Sequence, residues 1–414
     1  MTRRVPNSGR DQATAGHDCF VEVLDSEALH QDDAPDALNA PGLLDGLAVA
    51  VKDIIGVAGT TMRAGSLAYA RSTEEDATAV ALLRAHGARV VGTTRTQELA
   101  LGPTGLNPHD LDGGLKNPYD VSRIAGGSST GSAVAVARGA CPLALGTDTG
   151  GSVRIPAALC GVVGFKPSYG LVPLHGVLPA APTLDHVGIL GGDLADVARA
   201  AEALGCQPPM TPKHDVERGP ESVHIGVLGT ESEIIDPEVA TVVDDAVRIV
   251  ADRGVYTEPV TFRSSHLLME MSSTILLYEA SRFHADLLRE RGDELTPLIR
   301  SRLEFGATIT AVEYRRALRG RQAVIRELAE LFEHVDVVIS PTVPILAPTI
   351  HEAEAAGTIS KLVHHTRLAN IAGNPAVSIP LRGTSLPVGL QVAAARHDDW
   401  TALRVAAFVQ ESLA

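Results

Sequence analysis

Apolar positions in the first quarter of the chain predict a helix followed by a strand. Ala77–Ala85 has helical spacing, Gly87 is a stop signal, and the apolar run Ala88–Val91 follows. Ser72 and Glu75 have the spacing of a capping box ahead of that helix. The pattern therefore predicts a helix that leads directly into a strand.

A strand and a helix alternate again in the second half of the chain. Val223–Leu228 predicts a strand, and Asp236 with Pro237 marks the start of a helix that ends at Gly254. Such alternation is typical of α/β proteins. We therefore expect an α/β fold, with a single large domain whose central mixed, mostly parallel β-sheet is flanked by helices.

The N-terminus differs from the rest of the chain. Met1–His17 is polar and shows no periodicity, so we expect residues 1–20 to be a disordered N-terminus ahead of one domain at residues 21–414. Thr310 and Glu313 form a second capping-box spacing, which predicts a long helix to about residue 333.

Composition and charge narrow the classes of partner. Hydrophobic residues fill 45% of the 414 positions but aromatic residues only 3%, so a large core must consist mainly of Ala, Val, Leu and Ile. The formal net charge of −15 argues against nucleic acid, because phosphate groups are bound by a concentrated basic surface. The chain lacks a run of about 18 apolar residues, so we expect no membrane contact.

The four cysteines show neither a CxxC pair nor the spacing of a disulfide framework. They are Cys19, Cys141, Cys160 and Cys206. We expect free thiols in a reducing compartment. Because Met1–Asp45 also contains no apolar segment of a secretory signal, the sequence predicts a cytoplasmic protein.

Two clusters rich in glycine and serine carry the most specific chemical information. Gly126–Ser132 and Gly146–Arg154 lie downstream of Lys52, which ends the apolar run Leu47–Val51. A serine that attacks a carbonyl needs a base and a cradle of backbone N–H groups for the oxyanion. Glycines let backbone N–H groups approach a reacting carbonyl closely. Lysine, serine and the glycine-rich turns together supply all three requirements.

Other chemistries fit these residues less well. Taken alone, Gly126–Ser132 also fits a turn that caps the apolar helix after it. A phosphate-binding loop is disfavoured, because Ser132 rather than lysine follows Gly131. His364 and His365 are adjacent, so their side chains diverge, and no carboxylate cluster accompanies them. We therefore expect neither a metal nor a cofactor.

The two clusters and the lysine closely resemble the amidase signature family, serine hydrolases that cut amide C–N bonds with a Ser–Ser–Lys triad. The resemblance implies that Ser152 is the nucleophile, Ser128 the bridging serine after a cis peptide bond, and Lys52 the base. It implies an oxyanion hole formed by the backbone N–H groups of Thr149, Gly150, Gly151 and Ser152. It also implies supporting or substrate-binding roles for Ser129, Asp148 and Arg154.

Further family landmarks follow in family order from about Gly46 to the C-terminus. Gly105–His109 resembles malonamidase-type and allophanate-type members that act on small polar amides. The resemblance implies that residues of about 205–335 form a variable helical cap near the pocket. Thr130 departs from the family's usual Gly or Ser, and we expect its hydroxyl to cap the following helix.

The roles of Lys52 and Arg154 depend on what surrounds their charged groups. Lys52 acts as a base only when neutral, so its pKa must fall from about 10.4 toward neutrality, which burial can achieve. Arg154 either supports the loop or binds a substrate carboxylate.

The leading hypothesis is an amidase that hydrolyses a small-molecule amide to a carboxylate plus ammonia or an amine, through an acyl-enzyme. A second hypothesis is the A subunit of an aminoacyl-tRNA amidotransferase, which releases ammonia from glutamine for partner proteins. An esterase and a catalytically idle binding protein on the same fold are two further hypotheses. The resemblance also leaves a homodimer open.

Overall fold

The expected α/β class is confirmed, and the described residues form one mixed sheet of eleven strands. The computed structural model describes residues 17–25, 42–110, 114–207, 223–229, 234–355 and 357–413. The strands of the sheet are β1 (Phe20–Val23), β2 (Ala48–Lys52), β5 (Arg89–Thr94), β6 (Leu143–Thr147), β7 (Val163–Lys166), β8 (Val187–Gly191), β9 (His224–Leu228), β10 (Tyr256–Val260), β11 (Val337–Pro341), β12 (Ala376–Leu381) and β13 (Val388–Ala394). A separate two-stranded sheet contains β3 (Thr61–Met62) and β4 (Arg71–Ser72).

The sheet is mixed, but the expectation that it is mostly parallel is wrong. Its order is β1-β5-β2-β6-β8-β7-β12-β13-β11-β9-β10. Four neighbouring pairs are parallel and lie in two groups, β5-β2-β6 and β11-β9-β10. The other six pairs are antiparallel. The strand–helix alternation seen in the sequence belongs to the two parallel groups, whereas β12 and β13 are joined by a short connection that permits only antiparallel pairing.

The described part of the chain contains thirteen helices, of which some pack on the sheet and others form a helical cap. They are α1 (Thr78–Ala85), α2 (Thr130–Ala137), α3 (Arg154–Cys160), α4 (Leu194–Ala203), α5 (Pro237–Asp252), α6 (Ser265–Phe283), α7 (Ala285–Arg291), α8 (Pro297–Thr308), α9 (Ala311–Leu331), α10 (Ile350–Ala353), α11 (Thr358–Leu362), α12 (Thr366–Ala372) and α13 (Asp399–Ser412). Helices α2 and α3 pack on one face of the sheet, and α4, α5 and α13 on the other. None of the described helices is long and apolar enough to span a membrane.

The expected segment boundaries differ from the structure at two places. Of residues 1–20, only 17–20 are described, and Cys19 and Phe20 are buried, so these two residues already belong to the folded domain. In the described part of segment 205–335, the helical cap runs from α6 to α9, because β9 and β10 are strands of the main sheet and α5 packs against it.

Local sequence signals specified some helix starts and not others. Thr310 and Glu313 form both hydrogen bonds of the predicted capping box at the start of α9. The predicted box at Ser72 is wrong, because Ser72 lies in β4 and Ala77 is the N-cap residue of α1. The same hydroxyl–carboxyl spacing therefore caps a helix only where the next residues begin that helix.

Candidate active site

Lys52 is the last residue of β2 and is 0% exposed. Side chains alternate along a strand, and Ala50, two residues earlier, packs in the cluster that contains helix α2. Lys52 therefore extends toward α2. Its Nζ lies 2.7 Å from Ser128 Oγ and 2.8 Å from Thr147 Oγ1. Because β2 and β6 are parallel neighbours, their carboxyl ends bring Lys52 and Thr147 together.

The chain reaches Ser128 through a cis peptide bond, Gly127–Ser128, as the resemblance implied. The carbonyl oxygen of Ser128 accepts hydrogen bonds from Thr96 Oγ1 at 3.0 Å and from the N–H of Gln97 at 3.2 Å. A Cβ atom on Gly127 would lie 2.6 Å from the backbone nitrogen of Gly105, so only glycine fits here. The loop that begins at Thr96 thus holds the backbone at Ser128 in place.

Thr130 does not cap helix α2, so that expectation is wrong. Ser129 is the N-cap residue, and Thr130 is the first residue of the helix. The Oγ1 of Thr130 donates to the carbonyl oxygen of Gly126, four residues earlier, at 2.8 Å. The hydroxyl therefore stabilises the turn before the helix.

Ser152 is partly exposed and is linked to Ser129, the residue after the buried Ser128. Its carbonyl oxygen accepts a hydrogen bond from the N–H of Ser129 at 3.1 Å. Ser129 in turn exchanges hydrogen bonds of 3.2 Å with the backbone of Thr147, so it joins the start of α2 to the end of β6. No hydrogen bond joins the hydroxyls of Ser128 and Ser152, both of which are described; such contacts often tighten only when substrate binds.

The turn around Ser152 offers three backbone N–H groups for an oxyanion. The resemblance implied a fourth donor, the N–H of Gly151, but this N–H donates to Asp148 Oδ1 at 2.8 Å. The expected oxyanion hole is therefore reduced to the other three N–H groups. The N–H groups of Thr149, Gly150 and Ser152 donate to no acceptor in the described part of the chain. Gly151 itself has φ +124°, which fits glycine.

Asp148 and Arg154 form an ion pair below this turn, and each side chain is 0% exposed. The guanidinium donates to both carboxylate oxygens of Asp148, at 3.0 Å from Nε and 2.8 Å from Nη2. Its other donors reach Thr366 O, Asn370 Oδ1 and Gln391 Oε1 at 2.9, 2.7 and 2.7 Å. Arg154 therefore has a supporting position, and a substrate-binding role for it is ruled out because every donor is used inside the protein.

The pKa shifts follow from burial and from this ion pair. Burial lowers the pKa of Lys52 to about 7, against the smaller opposing effects of the Asp148 and Asp185 carboxylates. Burial opposes ionisation of Asp148, yet the Arg154 charge and its hydrogen bonds hold the pKa of Asp148 well below its usual range. In its neutral form, Lys52 can donate one N–H to Thr147 and accept the Ser128 hydroxyl proton with its lone pair.

One family model matches nearly the whole chain and so decides which sequence family the chain belongs to. The family model described as Amidase matches residues 10–403. The chain belongs to the Amidase family. The expected resemblance to amidase signature enzymes is thereby confirmed.

Three relatives illustrate the range of this family. The chain is 34% identical over 405 residues to the A subunit of glutamyl-tRNA(Gln) amidotransferase from Symbiobacterium thermophilum, covering 88% of this chain and 82% of that protein. It is 33% identical over 390 residues to a 1-carboxybiuret hydrolase subunit of Pseudomonas sp. strain ADP, covering 89% and 84%. A crystal structure of an amidase matches with a TM-score of 0.88 at 32% identity, covering 97% of this chain and 94% of that one. The chain is thus an amidase-family enzyme of the class that acts on C–N bonds.

Several residues that complete the site of this Amidase-family chain were not found from the sequence. Thr147 is in the second glycine-rich cluster, and only the parallel pairing of β2 with β6 shows that it contacts Lys52. Asn370 and Gln391 reach Arg154 from more than 200 positions away. Gln391 ends a family landmark, Leu386–Gln391, but nothing in the sequence linked either residue to Arg154. Among the described residues, no group of three or more His, Cys, Asp or Glu side chains could hold a metal ion.

Replacing Thr147 by valine is expected to lower kcat/KM about tenfold, since one hydrogen bond to Lys52 is lost. That bond favours the charged amine, so its removal should also shift the rising limb of the pH–rate profile to lower pH. Initial rates between pH 5 and 10 check both effects. Thr147→Ser keeps the hydroxyl and serves as the control; equal rates and an unshifted limb in Thr147→Val would contradict the contact.

Asp148→Asn is expected to destabilise the fold by about 3–5 kcal/mol, because it leaves the buried Arg154 charge without its partner. Urea unfolding followed by circular dichroism measures the loss. Asp245→Asn breaks an exposed ion pair with Arg248 and should leave the midpoint unchanged. A loss for Asp148→Asn no larger than that of Asp245→Asn would show that the buried pair is not structural.

Proposed function

We propose that this enzyme hydrolyses the C–N bond of a small carboxamide to a carboxylate plus ammonia or an amine. The observation that carries the proposal is the contact of 2.7 Å between buried Lys52 and Ser128, with the partly exposed Ser152 hydrogen-bonded through its carbonyl oxygen to the next residue, Ser129. A lysine with a pKa of about 7 is a competent base at neutral pH. The family's relatives include enzymes that act on amide bonds.

In the proposed first half-reaction, Ser152 Oγ attacks the amide carbonyl carbon as its proton passes to Ser128 and the Ser128 proton passes to Lys52 Nζ. The oxyanion is stabilised by the N–H groups of Thr149, Gly150 and Ser152. Collapse breaks the C–N bond, and the leaving nitrogen takes a proton from Ser128, which Lys52 restores. Ser152 then carries the acyl group as an ester.

In the second half-reaction, water attacks the ester carbonyl and gives one proton through Ser128 to Lys52. The C–O bond to Ser152 breaks, Ser152 Oγ regains a proton from Ser128, and Lys52 restores the Ser128 proton. The carboxylic acid that forms gives its remaining proton to solvent and leaves as the carboxylate. Asp148, Arg154 and Ser129 take no proton in this scheme. They hold the turn and the start of α2 in register with Lys52.

A second candidate function is supported by a specific observation. A relative at 34% identity is the A subunit of an amidotransferase, so release of ammonia from glutamine for partner proteins is that second candidate. An esterase is a further candidate, because the same serine can attack an ester, whose alkoxide is a better leaving group than an amine. Activity of the isolated chain on simple amides distinguishes hydrolysis from a reaction that requires partners.

The proposal is tested by an ammonia-release screen of the purified chain over aliphatic, aromatic, half-amide and ureido substrates, with glutamine and a matched ester beside them. Turnover of at least one simple amide, absent in Ser152→Ala, is the expected result. Turnover of glutamine alone would overturn the proposal in favour of the amidotransferase, and turnover of the ester alone in favour of the esterase. No turnover of any substrate would favour an idle binding protein.

The proposed function also bears on the binding partner of the enzyme and on its location in the cell. A small amide is the only partner it requires, without nucleic acid or membrane, and a cytoplasmic location is supported by four free, buried cysteines.

A further inference from the structure

Glu98 is a buried carboxylate that takes no part in the proposed proton transfers. It is 1% exposed. Its Oε1 accepts hydrogen bonds from Ser66 Oγ at 2.6 Å and from His109 Nε2 at 3.2 Å. Its Oε2 accepts from the N–H of Thr296 at 2.9 Å and from the Thr296 hydroxyl. Four donors from three separate segments therefore meet at one carboxylate, which matches the number of lone pairs that its two oxygens offer.

The loop of residues 96–101, which carries Glu98, holds the backbone of Ser128. Thr96 Oγ1 and the N–H of Gln97 donate to the carbonyl oxygen of Ser128, at 3.0 and 3.2 Å. Glu98 follows Gln97 directly in the chain. A shift of the Glu98 carboxylate therefore moves the peptide N–H that binds Ser128.

The same loop is tied on its other side to the end of β2. The N–H of Leu99 donates to the carbonyl oxygen of Ala64 at 2.8 Å, and the N–H of Ala64 donates to that of Asp53 at 3.0 Å. Asp53 is the residue after Lys52. The loop therefore links the backbone at Ser128 to the backbone at Lys52, whose side chains meet at 2.7 Å.

The backbone around Glu98 adopts a conformation that is unfavourable for residues with a side chain. Ala64, Leu99 and Ala100 have φ angles of +54°, +49° and +57°, in the left-handed region. They are three of the four non-glycine residues with positive φ in the described chain. Such residues persist where surrounding contacts over-determine the backbone, and they cluster at functional sites. The hydrogen bonds of Glu98 supply that restraint here.

Glu98 also connects this loop to the helical cap. Thr296 is the N-cap residue of α8, and its side chain makes no capping hydrogen bond with its own helix. Its hydroxyl donates to Glu98 instead. The start of α9 differs, because Thr310 there pairs with Glu313 of the same helix. The start of α8 is thus fixed to the loop that holds Ser128.

We propose that Glu98 is a positioning residue for the proton relay of Lys52, Ser128 and Ser152. It sets the separation of Ser128 and Lys52 and makes that separation depend on how α8 is seated. The inference rests on the proposed function and adds a connection between the cap and the relay. The four described hydrogen bonds of the Glu98 carboxylate reach no side chain of the relay, so its loss should slow proton transfer more than it weakens substrate binding.

Glu98→Ala is expected to lower kcat at least about tenfold and to change KM less than about threefold, because a misplaced relay slows the reaction without removing a substrate contact. Glu98→Gln is the conservative variant and should keep most of the rate. Its amide oxygen can accept from Thr296, and its NH2 group can donate to the Ser66 hydroxyl, which both donates and accepts. Glu313→Ala is the matched control, since it removes a carboxylate from the threonine at the start of another cap helix; it should leave kcat and KM unchanged.

Thr296→Val tests the connection to α8 and also serves if Glu98→Ala is too unstable to assay. It removes one of the two donors to Glu98 Oε2 and should lower kcat about threefold, whereas Thr296→Ser keeps the hydroxyl and should match the wild type. Because both residues act through one contact, the double variant should lose no more than Glu98→Ala alone. A loss equal to the product of the two single losses would overturn the connection to the cap.

Hydrogen–deuterium exchange separates this inference from the proposed function, because it needs no turnover. Without substrate, the backbone N–H groups of residues 96–101 should exchange faster in Glu98→Ala and Thr296→Val than in the wild type, and at the wild-type rate in Glu313→Ala. Faster exchange in a protein that hydrolyses no amide would overturn the proposed function and keep the positioning role. An unchanged kcat in folded Glu98→Ala, unchanged exchange in both variants, or an equal loss of kcat in Glu313→Ala would overturn the inference.

Discussion

Ser152→Ala is expected to lower kcat/KM for amide hydrolysis by at least about 10³-fold, because it removes the only atom proposed to bond to the acyl group. The fold should be retained. Ser152 is partly exposed, and the contact that holds it is made by its carbonyl oxygen, which alanine keeps. Steady-state rates on the amide found in the screen measure the loss, with circular dichroism and Tm as checks of the fold.

A covalent probe makes this test independent of substrate choice. A serine-directed fluorophosphonate should add one label to the wild type, on the peptide that contains Ser152, and none to Ser152→Ala. Ser301→Ala, at an exposed serine of α8, is the control and should keep both rate and label. A folded Ser152→Ala variant that keeps more than a tenth of wild-type kcat/KM would rule out Ser152 as the nucleophile.

Lys52→Ala is expected to lower kcat by about 10²–10⁴-fold and to remove the rising limb of the pH–rate profile. The sign follows from the pKa of about 7: below this pH Lys52 is charged and cannot accept the Ser128 proton, and above it the neutral amine can. The wild-type rate should therefore rise about tenfold per pH unit below pH 7 and level off above it. Rates across pH 5–10 check this.

Asp53 is the necessary control, because burial raises its pKa to about 7 as well, against hydrogen bonds from the backbone N–H of Arg63. Either group could in principle produce a limb at this pH. Asp53 contacts Arg63 rather than Ser128, so Asp53→Asn should keep the limb. A limb that survives in Lys52→Ala and disappears in Asp53→Asn would assign the titration to the carboxylate and reject lysine as the base.

The role of Arg154 shows how much a sequence motif alone can decide. The position of Arg154 two residues after Ser152 is a sequence fact, but it did not distinguish a loop support from a carboxylate ligand. The structure decides for support, because Asn370 and Gln391 arrive from α12 and β13 and occupy the remaining donors.

The sequence by itself determined the features that depend on neighbouring residues. The apolar run before Lys52 forms β2, Thr310 and Glu313 cap α9, and the glycines after Asp148 permit the turn at Ser152. These features are local, since backbone preference, capping and side-chain alternation act within a few positions. The order of lysine and the two glycine-rich clusters was therefore enough to indicate the family and the expected triad.

Only the tertiary structure decided which groups are free to react. It assigned the N–H of Gly151 to Asp148, turned the Thr130 hydroxyl toward Gly126, and brought Thr147 to Lys52. It also placed the antiparallel strands at the centre of the sheet. Each outcome depends on which donor meets which acceptor once distant segments pack together. Burial then sets the charge of Lys52, because the cost of removing an ammonium from water depends on the whole fold around it.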